Sequence, residues 1–259
     1  MIPIRDRLPR RRVPIVNYLL ILLNVAAFMW ERAVLALGYP ARRLLLDWGL
    51  VPARLLAHPF DEASTVLTSM FLHDPTSLLH IGGNMLFLWI FGDNVEDALG
   101  RGRYLLFYLL SGVAAAGAQI LLDPGSPVPM VGASGAIAGV LAAYATLYPR
   151  SPVTVLNPIL PAWLFFGIFI DLPAWVVILE FFVVNLINGF SAVGQGVSTG
   201  VAFFAHLGGF VAGLILVRLF LQEPRGRDHD RWQGFRPPPR RPGPQANYYP
   251  PPPHRPWDG

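Results

Sequence analysis

The chain has 259 residues, of which 53% are hydrophobic and 14% are charged, and its net charge is +4. Soluble domains carry about 25% charged residues, so this composition indicates a membrane protein. There is no cysteine, which excludes a disulfide framework, a thiolate metal site and a cysteine nucleophile. All twenty basic residues are arginines, and twelve of them lie in the two polar ends of the chain. Membrane orientation explains the N-terminal arginines, so no nucleic-acid partner is expected.

The chain begins with a polar segment, residues 1–12, that contains the arginine cluster from Arg5 to Arg12. The apolar run that follows is longer than the ~7 to 15 residues of a signal-peptide core, and no soluble domain follows a cleavage site, so it predicts a first transmembrane helix. Five more apolar stretches are predicted to span the membrane. The predicted fold is therefore all-α, a polytopic bundle of six transmembrane helices within residues 13–222. The predicted spans are Val13 to Leu37, Leu78 to Leu99, Tyr104 to Leu122, Val131 to Tyr148, Leu172 to Asn188 and Val201 to Leu221.

Three other segments are not predicted to cross the membrane. Gly38 to Ser77 is long and mixed in polarity, and we expect it to fold onto the membrane surface. Val153 to Ile170 is apolar, but Pro158 and Pro161 remove backbone donors that lipid cannot replace, which favours an interfacial or partly buried connection over a seventh span. Residues 223–259 contain 11 prolines, a composition typical of a disordered tail. With six spans, the positive-inside rule places both termini in the cytoplasm.

Four polar side chains within the predicted spans are candidates for function, because polar groups are costly in lipid. His80 and Asn84 lie one turn apart on one face of the second span. Ser134 lies in GASGAIAG of the fourth span, and His206 lies in GVAFFAHLGGFVAG of the sixth. Taken singly, each motif is explained at least equally well by a polar contact between helices.

The residues around Ser134 and His206 indicate that these two side chains meet. Glycines four residues apart in each of the two spans leave smooth faces that allow close helix approach. Packing these faces brings Ser134 within hydrogen-bond reach of His206, as a serine nucleophile requires of its base. Asn84 and His80 can then donate to the oxyanion that forms on attack. No acid is suitably placed for a triad, so a dyad is predicted. The glycines are Gly135, Gly139, Gly209 and Gly213.

Five motifs occur in order over most of residues 13–222: VPARLL, LTSMFLH, HIGGNMLFLWIFGDNVEDALG, GASGAIAGVLAAY and GVAFFAHLGGFVAG. In this combination the chain resembles the bacterial rhomboid intramembrane serine proteases. The resemblance implies a six-helix bundle in the cell membrane that cleaves transmembrane segments of other proteins. It also implies a Ser-His dyad in a water-filled cavity open to the outer side, with no cofactor and no metal.

The resemblance assigns roles to individual residues. Ser134 is the nucleophile, and His206 is the general base that later protonates the leaving amine. Asn84 and His80, with the backbone N–H of Ser134, hold the oxyanion. Two further residues line the approach to the serine, namely Gly132 and Ala133.

The same resemblance assigns three flanking segments and shows two departures from the family pattern. Gly38 to Ser77 corresponds to a membrane-embedded first loop, the fifth segment to a substrate gate, and Gly189 to Gly200 to a cap that its glycines leave mobile. Ala138 occupies a position that is aromatic in many members and supports the histidine ring, so that support must come from elsewhere or the histidine is less well oriented. The stretch from His73 to His80 is longer than usual, and we expect His73 to make a surface or loop contact.

Two other functions remain open at this point. A catalytically silent rhomboid-like protein that binds membrane clients would be favoured by loss of the serine or histidine, yet both are present. A proton-relaying channel would distribute polar groups across the bilayer, whereas here they lie near the outward ends of their spans. The sequence has no H-E-x-x-H motif and no aspartate pair in separate spans, which sets aside metalloprotease and aspartyl chemistry. The expected partners are transmembrane substrates and the lipid bilayer, with no particular oligomeric state indicated.

Overall fold

The computed structural model describes residues 1–157, 167–194 and 203–221. This part of the chain is mainly helical. A helix is present at the position of each predicted span, and short helices occupy the segment between the first two. In chain order the helices are α1 (Ile15–Ala36), α2 (Ala41–Trp48), α3 (Pro52–Ala57), α4 (Thr65–Thr68), α5 (Leu78–Leu99), α6 (Arg101–Leu122), α7 (Ser134–Leu147), α8 (Ala174–Gly194) and α9 (Phe203–Phe220).

The helices differ in their ability to cross a bilayer. Among the described residues, α1, α6 and α9 are long and apolar enough to span it. Helix α7 and residues 174–184 of α8 are apolar but shorter, and α5 contains His80, Asn84 and an acidic stretch in its last two turns. The chain is thus a mainly helical membrane protein, as predicted, while the count of six spans stays a prediction.

Helix α7 lies at the centre of the bundle, where it contacts α5, α6, α8 and α9. Every residue from Gly135 to Tyr144 is buried. Small side chains allow this burial, because they let neighbouring helices approach α7 from several sides. Large aromatic residues of α6, including Tyr104 and Phe107, fill the remaining core and are fully buried.

The contact between α7 and α9 depends on glycine. A Cβ atom at Gly209 would lie 2.0 Å from the Gly135 carbonyl oxygen, and one at Gly213 would lie 2.4 Å from the Gly139 carbonyl oxygen. Side chains larger than hydrogen therefore cannot occupy these positions without moving a helix. The close approach expected from the two glycine faces is present in the structure.

A small antiparallel sheet is an addition to the predicted all-α fold. Its central strand pairs with a strand from the N-terminal segment on one side and with the strand that leads into α8 on the other. Residues 2–6, predicted only as a polar segment, form a strand of this sheet. Leu172, predicted as the start of the fifth span, also lies in a strand. The strands are β1 (Ile2–Asp6), β2 (Pro152–Leu156) and β3 (Phe169–Pro173), in the order β1-β2-β3.

Two predicted connections are partly described. Within Val153 to Ile170, the described residues lie in β2, β3 and the residues next to them, with no helix there. The predicted loop from Gly189 to Gly200 is wrong in its first part, because residues 189–194 continue α8. The glycine at 189 lies within the helix, which ends at Gly194. The rest of this loop and the tail from residue 223 lie outside the described residues.

Asp6 links the sheet to the helices. Its Oδ2 atom accepts hydrogen bonds from Asn94 Nδ2 at 2.6 Å and from the Tyr144 hydroxyl at 2.8 Å. Burial raises the pKa of Asp6 to about 7, with a further rise from the nearby Asp93 and an opposing effect of the Tyr144 hydrogen bond. In the folded protein this carboxyl therefore keeps its proton more readily than in the unfolded chain.

This raised pKa predicts a stability that falls with increasing pH. The folded state binds more protons than the unfolded state between the two pKa values, so the contribution of Asp6 is full below about pH 4 and is lost as the pH rises through about 7. Thermal unfolding of purified protein between pH 4.5 and 8.5 should show this decline, and Asp6→Asn should flatten it. Asp61 is an exposed carboxylate, so Asp61→Asn should keep the wild-type slope. An unchanged slope in Asp6→Asn would refute the prediction.

Candidate active site

Ser134 is the first residue of α7, and the segment before it is held in place by the first loop. Met130 pairs with Leu50 through two backbone hydrogen bonds of 2.7 and 3.1 Å, and the Gly132 N–H donates to the Ser69 carbonyl oxygen at 2.8 Å. Gly132 has a φ angle of +122°, which favours glycine. This turn delays the start of the helix relative to the predicted span, and it leaves the Ser134 N–H without an intrahelical acceptor.

His206 faces Ser134 from the first turn of α9. Its Nε2 atom lies 2.7 Å from Ser134 Oγ, a hydrogen-bond distance suited to proton transfer from the hydroxyl. His206 is only 8% exposed, so little water competes for its contact with Ser134. The structure thus brings together the two residues that the sequence predicts as a dyad.

His80 lies on the other side of the same turn. A Cβ atom at Gly132 would lie 2.9 Å from His80 Nε2 and 3.6 Å from Ser134 Oγ, so the imidazole edge occupies the space that a side chain at this position would need. The Asp74 backbone N–H donates to His80 Nδ1 at 3.4 Å. In a neutral ring this leaves the proton on Nε2, the atom that lies beside Gly132.

Asn84 is one turn after His80 on α5, and it is 8% exposed. Its Nδ2 atom lies 3.0 Å from the Nε2 atom of His73. His73 is fully buried, so the surface contact expected as one alternative is wrong. The other alternative, a loop contact, is present, because its Nδ1 atom lies 3.2 Å from the Phe71 carbonyl oxygen. The two residues that follow His73, Asp74 and Pro75, contact α5 and α1, which folds the loop inwards. The only sequence signal for this placement was the motif LTSMFLH, in which His73 is the last residue.

The ring of His206 contacts an aromatic side chain from α8. The centroids of the Phe181 and His206 rings are 6.3 Å apart and their planes form an angle of 47°. Phe181 also contacts Phe87 of α5 at 5.0 Å between centroids. Ala138 is buried in α7 and has no ring to offer, so the expected support from elsewhere comes at least partly from Phe181. Nothing in the sequence around Phe181 distinguished it from its apolar neighbours.

The described part of the chain contains no cluster of three or more histidine or acidic side chains close enough together to hold a metal ion. The arrangement of groups at the site is instead a hydroxyl, a base that contacts it, and hydrogen-bond donors around it. Such an arrangement is suited to acyl transfer by a serine nucleophile.

The fold and this arrangement define a class of protein, a helical membrane protein with a serine and a histidine in hydrogen-bond contact near helix ends. The rhomboid domain family matches residues 61–223 of the chain, a match that includes all four polar residues. The chain therefore belongs to the rhomboid family.

Individual relatives agree with this assignment. The chain is 35% identical over 130 residues to rhomboid protease GluP of Bacillus subtilis, an alignment that covers 50% of this chain and 24% of that protein. It is 26% identical over 203 residues to the mitochondrial rhomboid protein 1 of Saccharomyces cerevisiae, covering 76% of this chain and 51% of that protein. It is 35% identical over 95 residues to the human mitochondrial presenilin-associated rhomboid-like protein, an alignment that covers 36% of this chain and 24% of that protein. The chain thus aligns with between a quarter and about half of the length of these proteins.

Proposed function

We propose that this protein is an intramembrane serine endopeptidase that hydrolyses peptide bonds in or near the transmembrane segments of other membrane proteins. The observation that carries the proposal is the 2.7 Å contact between Ser134 Oγ and His206 Nε2. A serine hydroxyl is a poor nucleophile until a base removes its proton. Membership of the family and the protease relative in Bacillus subtilis support the same activity.

The proposed reaction has two stages. His206 takes the proton of Ser134 while Oγ attacks the carbonyl carbon of the substrate, which forms a tetrahedral oxyanion. The proton then passes from His206 to the leaving amine, and the peptide bond breaks to give an ester on Ser134. Water, deprotonated by His206, hydrolyses this ester and releases the acid product, which restores the hydroxyl.

The oxyanion requires donors on the side of the serine away from the base. The Ser134 N–H at the start of α7 is one candidate, and its position at a helix N-terminus favours negative charge. His80 Nε2 and the side-chain amide of Asn84 are the other two. Gly132 and Ala133, which precede the serine, would line the approach of the substrate backbone.

The proposal extends to topology and partners. Residues 13–222 form the protease domain, residues 1–12 are cytoplasmic, and residues 223–259 form a cytoplasmic proline- and arginine-rich tail. The protein is placed in the cell membrane with its active site open to the outer side. Its substrates are transmembrane proteins, and the reaction requires no cofactor.

The direct test is reconstitution of the purified protein in liposomes with a model transmembrane substrate and a fluorophosphonate probe. Cleavage of the substrate together with covalent labelling of the serine is expected. A correctly folded protein that neither cleaves nor labels would contradict the proposal and favour a silent rhomboid-like protein that binds membrane clients.

Asn84→Ala should reduce turnover less severely than loss of the nucleophile. Removal of one oxyanion donor costs about 3 to 4 kcal/mol at most, or roughly 100- to 1000-fold in kcat. The measurement is kcat and KM for the model substrate in liposomes, with thermal unfolding as the control for the fold. If Asn84→Ala instead unfolds the protein, its role is that of a polar contact between helices.

A further inference from the structure

His73 lies outside the dyad and its predicted oxyanion donors, yet it is fully buried beside them. It precedes Asn84 by eleven residues and belongs to the loop between α4 and α5. Its ring is also near that of His80, with 5.1 Å between the centroids. A buried polar ring needs hydrogen-bond partners, and the identity of those partners indicates what His73 does.

The two ring nitrogens of His73 have different partners. Nδ1 lies 3.2 Å from the Phe71 carbonyl oxygen, and Nε2 lies 3.0 Å from Asn84 Nδ2. A carbonyl oxygen only accepts and an amide nitrogen only donates. Nδ1 therefore carries the proton of the neutral ring, and the Nε2 lone pair accepts from Asn84. Burial, together with the nearby His80, lowers the pKa of His73 to about 4, which is consistent with a neutral ring at physiological pH.

This hydrogen bond determines the orientation of the Asn84 amide. With one N–H of Nδ2 directed to His73, the amide plane is fixed and the second N–H of the same nitrogen is directed elsewhere. The reversed amide would place Oδ1 against Nε2, which would require protons on both ring nitrogens and a buried positive charge. The neutral His73 ring thus selects the orientation in which Asn84 keeps a free donor.

The loop that carries His73 is fixed to two helices. The His73 backbone N–H donates to Glu31 Oε1 of α1 at 2.9 Å, and Glu31 is fully buried. Arg32 Nη1, also of α1, donates to the Pro75 carbonyl oxygen at 3.0 Å. The Asp74 N–H contact with His80 ties the same loop to α5. The His73 ring therefore has little freedom to move away from Asn84.

We propose that His73 is a positioning residue that holds the Asn84 side-chain amide with one N–H directed towards the oxyanion. The proposal rests on the proposed function, because it assigns His73 an effect on catalysis through Asn84. His73 itself contacts neither substrate nor the reacting atoms. Its effect belongs to the step in which the oxyanion forms, so it should appear in kcat more than in KM.

The test compares His73→Gln with His73→Met in liposomes. Both side chains are unbranched and similar in size, but the Gln Oε1 atom accepts a hydrogen bond from Asn84 whereas the Met thioether accepts only weakly. We expect His73→Gln to stay near the wild-type kcat and His73→Met to lose about tenfold, less than the removal of a donor costs. His58 is an exposed loop histidine, and His58→Met should leave kcat unchanged. Equal kcat values for His73→Gln and His73→Met would overturn the proposal.

A double-mutant cycle separates positioning from a general structural role. If His73 acts through Asn84, His73→Met should cause no further loss in an Asn84→Ala background. The same tenfold loss in both backgrounds would show that His73 acts independently of Asn84 and would overturn the proposal.

A readout that does not depend on activity distinguishes this proposal from the proposed function. The side-chain amide signal of Asn84 in 15N-labelled protein, identified by its absence in Asn84→Ala, should shift in His73→Met and stay close to wild type in His73→Gln. An unshifted signal in His73→Met would overturn the positioning role even in an active protease. A wild-type protein that neither cleaves nor labels would contradict the proposed function. The Asn84 amide signal in His73→Met would still test the hydrogen bond between His73 and Asn84.

Discussion

Ser134→Ala is expected to reduce cleavage of a transmembrane substrate to background, a loss of at least about a thousandfold. The substitution removes the hydroxyl that contacts His206, and with it the proposed nucleophile and its proposed base pairing. Loss of the nucleophilic serine costs about 10⁶ in kcat in a well-studied serine protease. The measurement is single-turnover cleavage in liposomes, with fluorophosphonate labelling as a second readout.

His206→Ala provides the matched comparison for the same dyad. Because serine and base act as one unit, the double variant should be no slower than either single variant. Thermal unfolding should show that Ser134→Ala keeps the wild-type fold, since the side chain loses a single oxygen atom at a helix start. Undiminished cleavage or labelling in either variant would refute the dyad and show that another group is the nucleophile.

Gly209→Ala is expected to damage both the fold and the reaction. The added methyl group would lie 2.0 Å from the Gly135 carbonyl oxygen, which is backbone and cannot rotate away. Helix α9 must therefore move from α7, at a cost of about 1 to 3 kcal/mol in the free energy of unfolding. His206 is on α9, one turn before Gly209, so its imidazole moves away from Ser134. A displacement of about 1 Å costs roughly 100-fold in rate.

Gly117→Ala is the control for this prediction. Gly117 is also a helical glycine, in α6, and a Cβ atom there would meet nothing within 4 Å. The substitution should leave cleavage unchanged and raise stability slightly, because alanine is favoured over glycine in a helix by up to about 1 kcal/mol. The measurements are thermal unfolding and cleavage in the same lipid mixture. Equal stability of Gly209→Ala and Gly117→Ala would contradict the role of the glycine contact.

The membrane bundle and the pairing of the dyad followed from local features of the sequence. A long run of apolar residues predicts a membrane span from its own composition. Glycines four residues apart predict a smooth helix face, whatever element packs against it. Ser134 and His206 each lie next to such a face. Their contact could therefore be predicted once two glycine faces were matched. The oxyanion-donor roles of His80 and Asn84 were inferred from the same motifs and then assigned again by the family resemblance, and they remain proposals.

The sequence by itself determined that this is a helical membrane protein of the rhomboid type with a serine and a histidine on matching helix faces. Only the tertiary structure decided the pairing of Ile2–Asp6 with Pro152–Leu156, the contact of Phe181 with His206 and the hydrogen bond from Asn84 to His73. The physical reason is the same in each case. Helix periodicity relates residues three or four apart, whereas these contacts join residues from separate elements whose mutual placement depends on how the whole bundle packs.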